Sequence, residues 1–323
     1  MKTTTLVIIA LFTTSISIGQ VVSVDEEISN EDLINSFLIG TGVVISNIEQ
    51  YGEPCQTGVA QTDSLSEFGF ECAVGLSTGS LADLEGDITP ILVDNPTIYN
   101  ADMQTIANLV PQELGLDFTI NDVFNVSGFS FDFVPIESTL SFDFTFGSEE
   151  YPFWINSPFN DTFAFLLSGP GIDGPYTNNS VNLATVPGSD LPITISSINS
   201  ETNSEFYEDI SDSNTHMNGR TTSINVLFED LVVGETYHIA MLIGNGSDYA
   251  LNSYVFLEKG SFSAVAPAEP GNIYDLNGDG YLDSQDLLML MSDFGCEGSD
   301  CVGDFNDDQV TSFADFLDFL ANF

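Results

Sequence analysis

The chain has 323 residues and a formal net charge of −46, from 49 acidic and 3 basic residues. With almost nothing to neutralise phosphate, nucleic acid is excluded as a partner, and an anionic membrane surface is disfavoured on the same ground. A hydrophobic content of 43% with 26 Phe excludes an acidic disordered chain. Such a charge suits solubility or salty water, and it equally suits neutralisation by divalent cations.

Residues 1–19 read as a signal peptide. Lys2 precedes the apolar run from Leu6 to Phe12, a polar Thr/Ser segment follows, and Ser17 and Gly19 are the small residues before a cleavage point at Gln20. The apolar run is too short to span a bilayer, and no later segment is long and apolar enough. The mature chain then keeps only Arg220 and Lys259 as Lys/Arg cations. Four Cys in an exported chain point to two structural disulfides, with local pairing of Cys55 to Cys72 and of Cys296 to Cys301. Sequence alone permits three pairings. Zinc is disfavoured, because His216 and His238 are distant in sequence from both pairs.

Residues 24–263 read as one β-rich domain. Period-two alternation is clear in Phe129–Phe133 and Ser141–Phe146, which predicts Phe on a core face and Ser, Asp or Thr facing out. Further strands are expected at Thr162–Leu167, Ile193–Ile195, Thr222–Phe228, Tyr237–Ile243 and Tyr254–Glu258. The Tyr237 run is almost continuously apolar, which marks a central strand buried on both faces. Segments at Asp32–Phe37 and Met103–Leu109 have a helical pattern. Many short strands between Gly, Pro and Asn turns predict a mainly β fold, a two-sheet sandwich of jelly-roll type. Residues 264–270, with Pro267 and Pro270, form the expected linker.

No catalytic residue is predicted in this domain. Glu149 and Glu150 are paired acids, as in a glycosidase, but consecutive strand residues point to opposite faces and do not flank one bond. Glu149, Glu150, Asn156, Asn160 and Asp161 share one loop region. Three readings stand for it: a loop capped by its own hydrogen bonds, a second type of calcium site, or a sugar platform using Trp154 and Tyr151. His238, inside an apolar run, reads as a satisfied core histidine rather than a base. Ser77 in Gly75-Leu-Ser-Thr-Gly79 has the spacing of a nucleophile elbow without its setting, and reads as a turn. Asn245-Gly-Ser-Asp248 reads as a turn in which Asp248 caps or ligates.

The ordered motifs Gly42–Asn47, Gly75–Gly79, Phe142–Tyr151, Phe159–Pro170, Asn182–Gly188, Thr236–His238 and Val255–Glu258 resemble the choice-of-anchor L family of exported bacterial proteins. Ser148-Glu-Glu-Tyr151 followed by Phe159-Asn-Asp161 is the most specific part of the match. The family is named for carrying different C-terminal attachment devices, and it has no settled biochemical activity. Met217–Thr221 departs from the family's usual turn.

Residues 271–323 supply a device of that kind. From Asp275 to Asp286, oxygen-bearing side chains fall at loop positions 1, 3, 5, 9 and 12 with Gly280 at position 6, the spacing of a calcium loop of the EF-hand type. Asp304–Asp315 repeats the spacing, with Gln309 in place of the glycine. A non-Gly residue at that turn predicts weaker binding or a different turn. Each loop runs into an apolar helix, and the two helices are expected to pack on each other. The duplicated loop-helix unit, with Asp rather than Glu at position 12, resembles the dockerin family. That resemblance implies a small α-helical calcium module. Its Ca²⁺ ligands are implied as Asp275, Asn277, Asp279, Asp283 and Asp286, then Asp304, Asn306, Asp308, Ser312 and Asp315, with Tyr281 and Val310 offering main-chain carbonyls. It also implies a cohesin-like or surface-anchoring partner, although loop positions 10 and 11 hold Ser284-Gln285 and Phe313-Ala314 instead of small hydroxyl pairs.

The expectation is a secreted, cell-surface or extracellular matrix and adhesion-type protein, not an enzyme, with a calcium-dependent C-terminal docking module. The alternative is a carbohydrate-binding or polysaccharide-degrading component recruited through the same tail, with a glycan as partner.

Overall fold

The Phe alternation becomes two long strands in different sheets whose Phe faces meet. In the computed structural model the described residues are 22–62, 68–85, 100–213, 215–265, 272–277, 282–296, 298, 301–306 and 308–323. The expected signal peptide, residues 1–19, and most of the expected linker lie outside the described residues. The strands are β1 (Ser23–Asp25), β2 (Val43–Tyr51), β3 (Thr57–Gln61), β4 (Cys72–Ser77), β5 (Val123–Pro135), β6 (Thr139–Ser148) and β7 (Thr162–Ser168). They continue as β8 (Val181–Asn182), β9 (Tyr207–Asp209), β10 (Gly219–Thr221), β11 (Ile224–Phe228), β12 (Tyr237–Gly246), β13 (Ser253–Glu258) and β14 (Ser263–Val265). The α-helices are α1 (Asn30–Asp32), α2 (Ala101–Leu114), α3 (Ser284–Asp293) and α4 (Phe313–Asn322).

Among the described residues two antiparallel sheets form a sandwich. One has five strands in the order β2-β5-β12-β7-β8. The other has nine, running β1-β3-β4-β13-β6-β10-β9 with β11 and β14 also paired to β6. The inner faces interlock through aromatic rings. Phe144 meets Phe163 at 5.6 Å and Phe165 at 5.0 Å between centroids, and Phe142 meets Phe165 at 5.3 Å. Phe129, Phe131 and Phe133 of β5 complete this wall. Each buried Phe contributes about 1.5–3 kcal/mol relative to exposure, so this wall is the main source of the sandwich's stability.

β12 is the central strand of its sheet, as its apolar run predicts. Its far face carries Ala240 and Leu242, which pack with Met103, Ile106 and Ala107 of α2. The α2 helix starts where the Asn100 side chain accepts from the N–H groups of Asp102 and Met103, and ends at Gly115 in the left-handed conformation (φ 67°).

Several expectations change. Ser141, Asp143 and Thr145 do not face solvent, because a second layer covers that side of β6. Thr145 donates to the Phe68 carbonyl at 2.6 Å, and Phe68 stacks on Phe256 at 4.8 Å. Ile193–Ile195 is buried but irregular, held by a local turn in which the Ser197 N–H donates to the Thr194 carbonyl. Ala264 and Val265, expected in the linker, complete β14 by pairing with Leu140 and Thr139. Cys55 and Cys72 are free thiols rather than a disulfide. The hairpin register explains this: Cys72 lies opposite Gln61, whereas Cys55 precedes Thr57 at the other end, opposite Leu76. Four strand residues separate the ends by roughly 13 Å, beyond the roughly 7 Å Cα limit for a disulfide.

Candidate functional site

Two regions gather oxygen ligands, and each is built by a simple structural device. In the C-terminal segment the device is the position-12 carboxylate. Asp286 is completely buried, and its Oδ1 accepts the N–H groups of Leu276 (2.7 Å) and Asn277 (3.3 Å) while Oδ2 accepts that of Asp283 (2.9 Å). Asp315 repeats the pattern. Its Oδ1 accepts from Phe305 (3.0 Å) and Asn306 (3.3 Å), and its Oδ2 from Ser312 (2.8 Å). Burial pushes the Asp315 carboxyl up, but hydrogen bonds from Ser312 and Asn306 outweigh it and hold the carboxyl below its ordinary range. Each carboxylate therefore closes its loop onto the following helix, which Asp283 or Ser312 caps.

Residues 278–281 lie outside the described residues, so the expected ligands Asp279 and Tyr281 are not placed; Asp275, Asn277, Asp283 and Asp286 are. The second loop is placed at all its expected ligands. Asp304 accepts the N–H of Asp308 on Oδ1 (3.0 Å) and that of Gln309 on Oδ2 (2.8 Å). Asn306 Oδ1 also accepts from Asp308, and Asp308 Oδ1 accepts from Val310. Gln309 takes the left-handed conformation (φ 69°) that glycine takes in such loops. The expected departure in turn geometry does not occur, because the Asp304 carboxylate holds the Gln309 N–H. The described donors are all hard oxygens, with no nitrogen or sulfur ligand among them, which fits a calcium ion.

The two repeats are knitted together. Cys296 and Cys301 form the expected disulfide, with Cα atoms 5.6 Å apart. The Thr311 N–H donates to the Cys296 carbonyl at 3.0 Å, and the Gly298 N–H to that of Gln309 at 2.9 Å. Asp293 lies beside the disulfide and accepts from Gly303 and Thr311, and the bonded sulfurs offer no thiolate to a metal. The helices do not bury each other's apolar faces as expected. Leu290 is the only fully buried apolar residue of α3, and Phe319 of α4. Leu288, Met291, Phe313, Leu317 and Leu320 stay exposed.

The second region lies at one end of the sandwich, where the inward-facing positions change from apolar to polar. On β6 the inward series Phe142, Phe144, Phe146 continues to Ser148. On β7 the series Leu167, Phe165, Phe163 ends at Asp161, and on β12 the series Ile239, Met241, Ile243 ends at Asn245. On β13 the next position before Val255 is Ser253, whose hydroxyl donates to Ser148 Oγ at 2.9 Å. Asp161 Oδ1 accepts the Gly246 N–H at 2.9 Å. The approach needs glycine: a Cβ on Gly246 would lie 2.5 Å from the Asn160 carbonyl oxygen. Glu150, 1% exposed, adds a second carboxylate. Burial and then the nearby Asp161 push Glu150 well above its ordinary range. Burial also raises Asp161, although the Gly246 N–H donates to it.

Of the five loop residues named from sequence, Glu150 and Asp161 lie at this polar end, and Glu149 adds negative potential to both from outside it. Glu149 turns to the other side and accepts from the Tyr254 hydroxyl at 3.1 Å. The Asn156 N–H donates to Ser196 Oγ, and Asn160 Oδ1 accepts the Ser196 N–H, so both brace a loop. Tyr151 is fully buried with its hydroxyl on the Ile198 carbonyl at 2.7 Å, and is no sugar platform. Trp154 and Phe153 remain exposed. Asn245, read as a turn residue, is a buried strand residue that sequence reasoning missed. Counting every second residue from Ile239 would have found it. Asp248 does cap, accepting the Ala250 N–H.

His238 is no core histidine: its ring is 43% exposed, and its Nδ1 lies 2.7 Å from Asp132 Oδ1. Ser77 ends β4, and its hydroxyl accepts the Gly79 N–H in a turn. No described helix is long and apolar enough to cross a membrane.

Residues 21–263 match the family model of the choice-of-anchor L domain, and the chain belongs to that family. No curated protein matches the chain. Two solved structures resemble it distantly. TmCBM61, a structure in complex with beta-1,4-galactotriose, is 11% identical, with a TM-score of 0.26 over 66% of this chain and 85% of that one. CBM28, a non-crystalline cellulose specific carbohydrate-binding module, is 8% identical, with a TM-score of 0.28 over 67% and 88%. Likeness at this level does not bear on what the present chain binds.

Proposed function

We propose that this is an exported, non-enzymatic surface or matrix protein of adhesion type, whose sandwich is attached through a calcium-ordered, dockerin-like C-terminal module. The observation that carries this reading is the twin closure by Asp286 and Asp315, two buried carboxylates making the same three backbone contacts in loops of the same ligand spacing. Ca²⁺ would be held by Asp275, Asn277, Asp279, Asp283 and Asp286 in one loop, with the Tyr281 carbonyl. In the other it would be held by Asp304, Asn306, Asp308, Ser312 and Asp315, with the Val310 carbonyl. The ion supplies the positive charge that lets these carboxylates converge. The exposed apolar rows of α3 and α4 then form a face for a cohesin-like or other anchoring protein. Family membership supports the cell-surface setting. Calorimetric titration of the full chain with Ca²⁺ tests the reading. Binding heat should fall sharply when Asp275 and Asp304 are both changed to Ala, and equal heat in that variant would sink the tail assignment.

A second reading, glycan binding, is favoured by the exposed Phe153 (84%) and Trp154 (42%) beside the Glu149–Asp161 segment. Screening on a glycan array with the Trp154→Ala variant as control decides it. Signal that survives the substitution counts against this surface.

A further inference from the structure

We propose that the polar end of the sandwich holds a calcium ion, bound by the carboxylates of Glu150 and Asp161 and the amide oxygen of Asn245. This site is independent of the C-terminal loops and does not rest on their assignment.

The first argument is unmet valence. Glu150 Oε2, Asp161 Oδ2 and Asn245 Oδ1 are buried and have no hydrogen-bond partner. The Asn245 amide is completely buried with neither its oxygen nor its nitrogen engaged. Unsatisfied buried groups of this kind destabilise the fold, and more so when charged. Clustered at one end of a well-packed core, they point to a ligand that supplies what they lack.

The second argument is parity. Asp161 and Asn245 occupy the next inward positions after the register pair Phe163 and Ile243. Both side chains therefore project into the same inter-sheet layer from adjacent strands. Ser148 and Ser253 approach that layer from the other sheet.

The third argument is the shortage of internal cations. A buried acid pair is normally balanced by Lys or Arg. Beyond the expected signal segment the Lys/Arg cations are Arg220 and Lys259; of the two histidines, His238 faces Asp132 and His216 bears on Glu149 rather than on this pair. Arg220 pairs with Glu208 at 2.5 Å, and Lys259 lies over the Phe37 ring, 5.0 Å from its centroid. The remaining candidates are a proton or an external cation. Two carboxylates with an amide oxygen form an all-oxygen set that matches the charge and hardness of Ca²⁺ and offers nothing to a softer metal. Asp248 adds negative potential to both carboxylates.

The test counts bound metal in full chains passed through gel filtration in trace calcium. In a chain whose tail loops are silenced by Asp275→Ala and Asp304→Ala, one tightly held calcium per chain should remain. Adding Glu150→Gln and Asp161→Asn should remove it. No calcium in the silenced chain, or the same calcium after the second pair of changes, overturns the proposal. A tail that never bound calcium would leave wild type and silenced chain equal at one ion, so the two failures are distinguishable. Should the second pair prevent folding, hydrogen exchange on the wild-type chain decides. Peptides covering 148–162 and 243–253 should lose protection in EDTA and regain it with calcium. Equal protection at neutral pH with and without metal means that the carboxyls carry a proton instead, which also overturns it.

Discussion

The sandwich and the C-terminal segment use opposite means to hold a chain in place. The sandwich interleaves Phe side chains from two sheets until Phe131, Phe133, Phe142, Phe144, Phe146, Phe163 and Phe165 are wholly withdrawn from water. The C-terminal helices withdraw only Leu290 and Phe319 to that degree, and their loops are closed by carboxylates on backbone N–H groups. A segment with so little apolar burial does not offset its own conformational entropy. Its carboxylates repel one another unless something positive sits among them. The general lesson is that acidic residues are internal in both regions, as the carboxylates that close the loops of the tail and as the Glu150–Asp161 pair at the polar end of the sandwich.

The comparison breaks first at the aromatic wall. Phe163→Ala should cost about 3–5 kcal/mol of sandwich stability, read by chemical denaturation, because the cavity lies between two sheets that cannot both collapse into it. A cost below about 1 kcal/mol would mean that the wall is not the main stabilising feature. Next is the tail. Asp315→Ala leaves three backbone N–H groups without their acceptor, and should destabilise the second loop by about 1–3 kcal/mol. Faster hydrogen exchange over 304–315 with an unchanged sandwich melt is the expected reading. Loss of the sandwich melt would show that the two regions fold as one.

A smaller effect sharpens the boundary between them. Burial, then Asp143 and Asp283, push Glu258 from an ordinary 4.5 to about 7. Its folded-state pKa is raised, so the unfolded chain releases this proton first as pH rises. Its contribution is therefore a loss of stability between the unfolded value of 4.5 and about 7, with no further change above. Glu258→Gln should flatten that slope, raising the denaturation midpoint at about pH 8 and leaving it unchanged at about pH 5. An unaltered slope would remove Glu258 as its source. The smallest effect is expected at Phe153, which is 84% exposed. Phe153→Ala should leave the melting temperature within the scatter of surface substitutions, so any loss of glycan binding in that variant reports recognition and not folding.

The strand pattern was legible because its cause is local. Alternation at Phe129–Phe133 and Ser141–Phe146 marks an inner face without knowledge of any partner, and ligand spacing in Asp304–Asp315 marks a closed loop for the same reason. Reading Ser141, Asp143 and Thr145 as solvent-facing failed because alternation identifies the better-buried side, not whether the other side is covered. Over Thr145 the cover is Phe68, which stacks on Phe256 of the neighbouring strand and is far away in the chain. The Cys55–Cys72 pairing failed because nearness in sequence says nothing about the register of a hairpin.

Sequence by itself determined the strand faces, the family, the acid excess and the twin loop spacing, all properties of contiguous residues. Tertiary structure decided that Glu149 and Glu150 part company, that Glu150 is buried near Asp161, and that Asp161 and Asn245 take adjacent inward positions. Strand order and register bring Asp161 and Asn245, 84 positions apart, into neighbouring inward sites, and no local pattern encodes which strands will be neighbours.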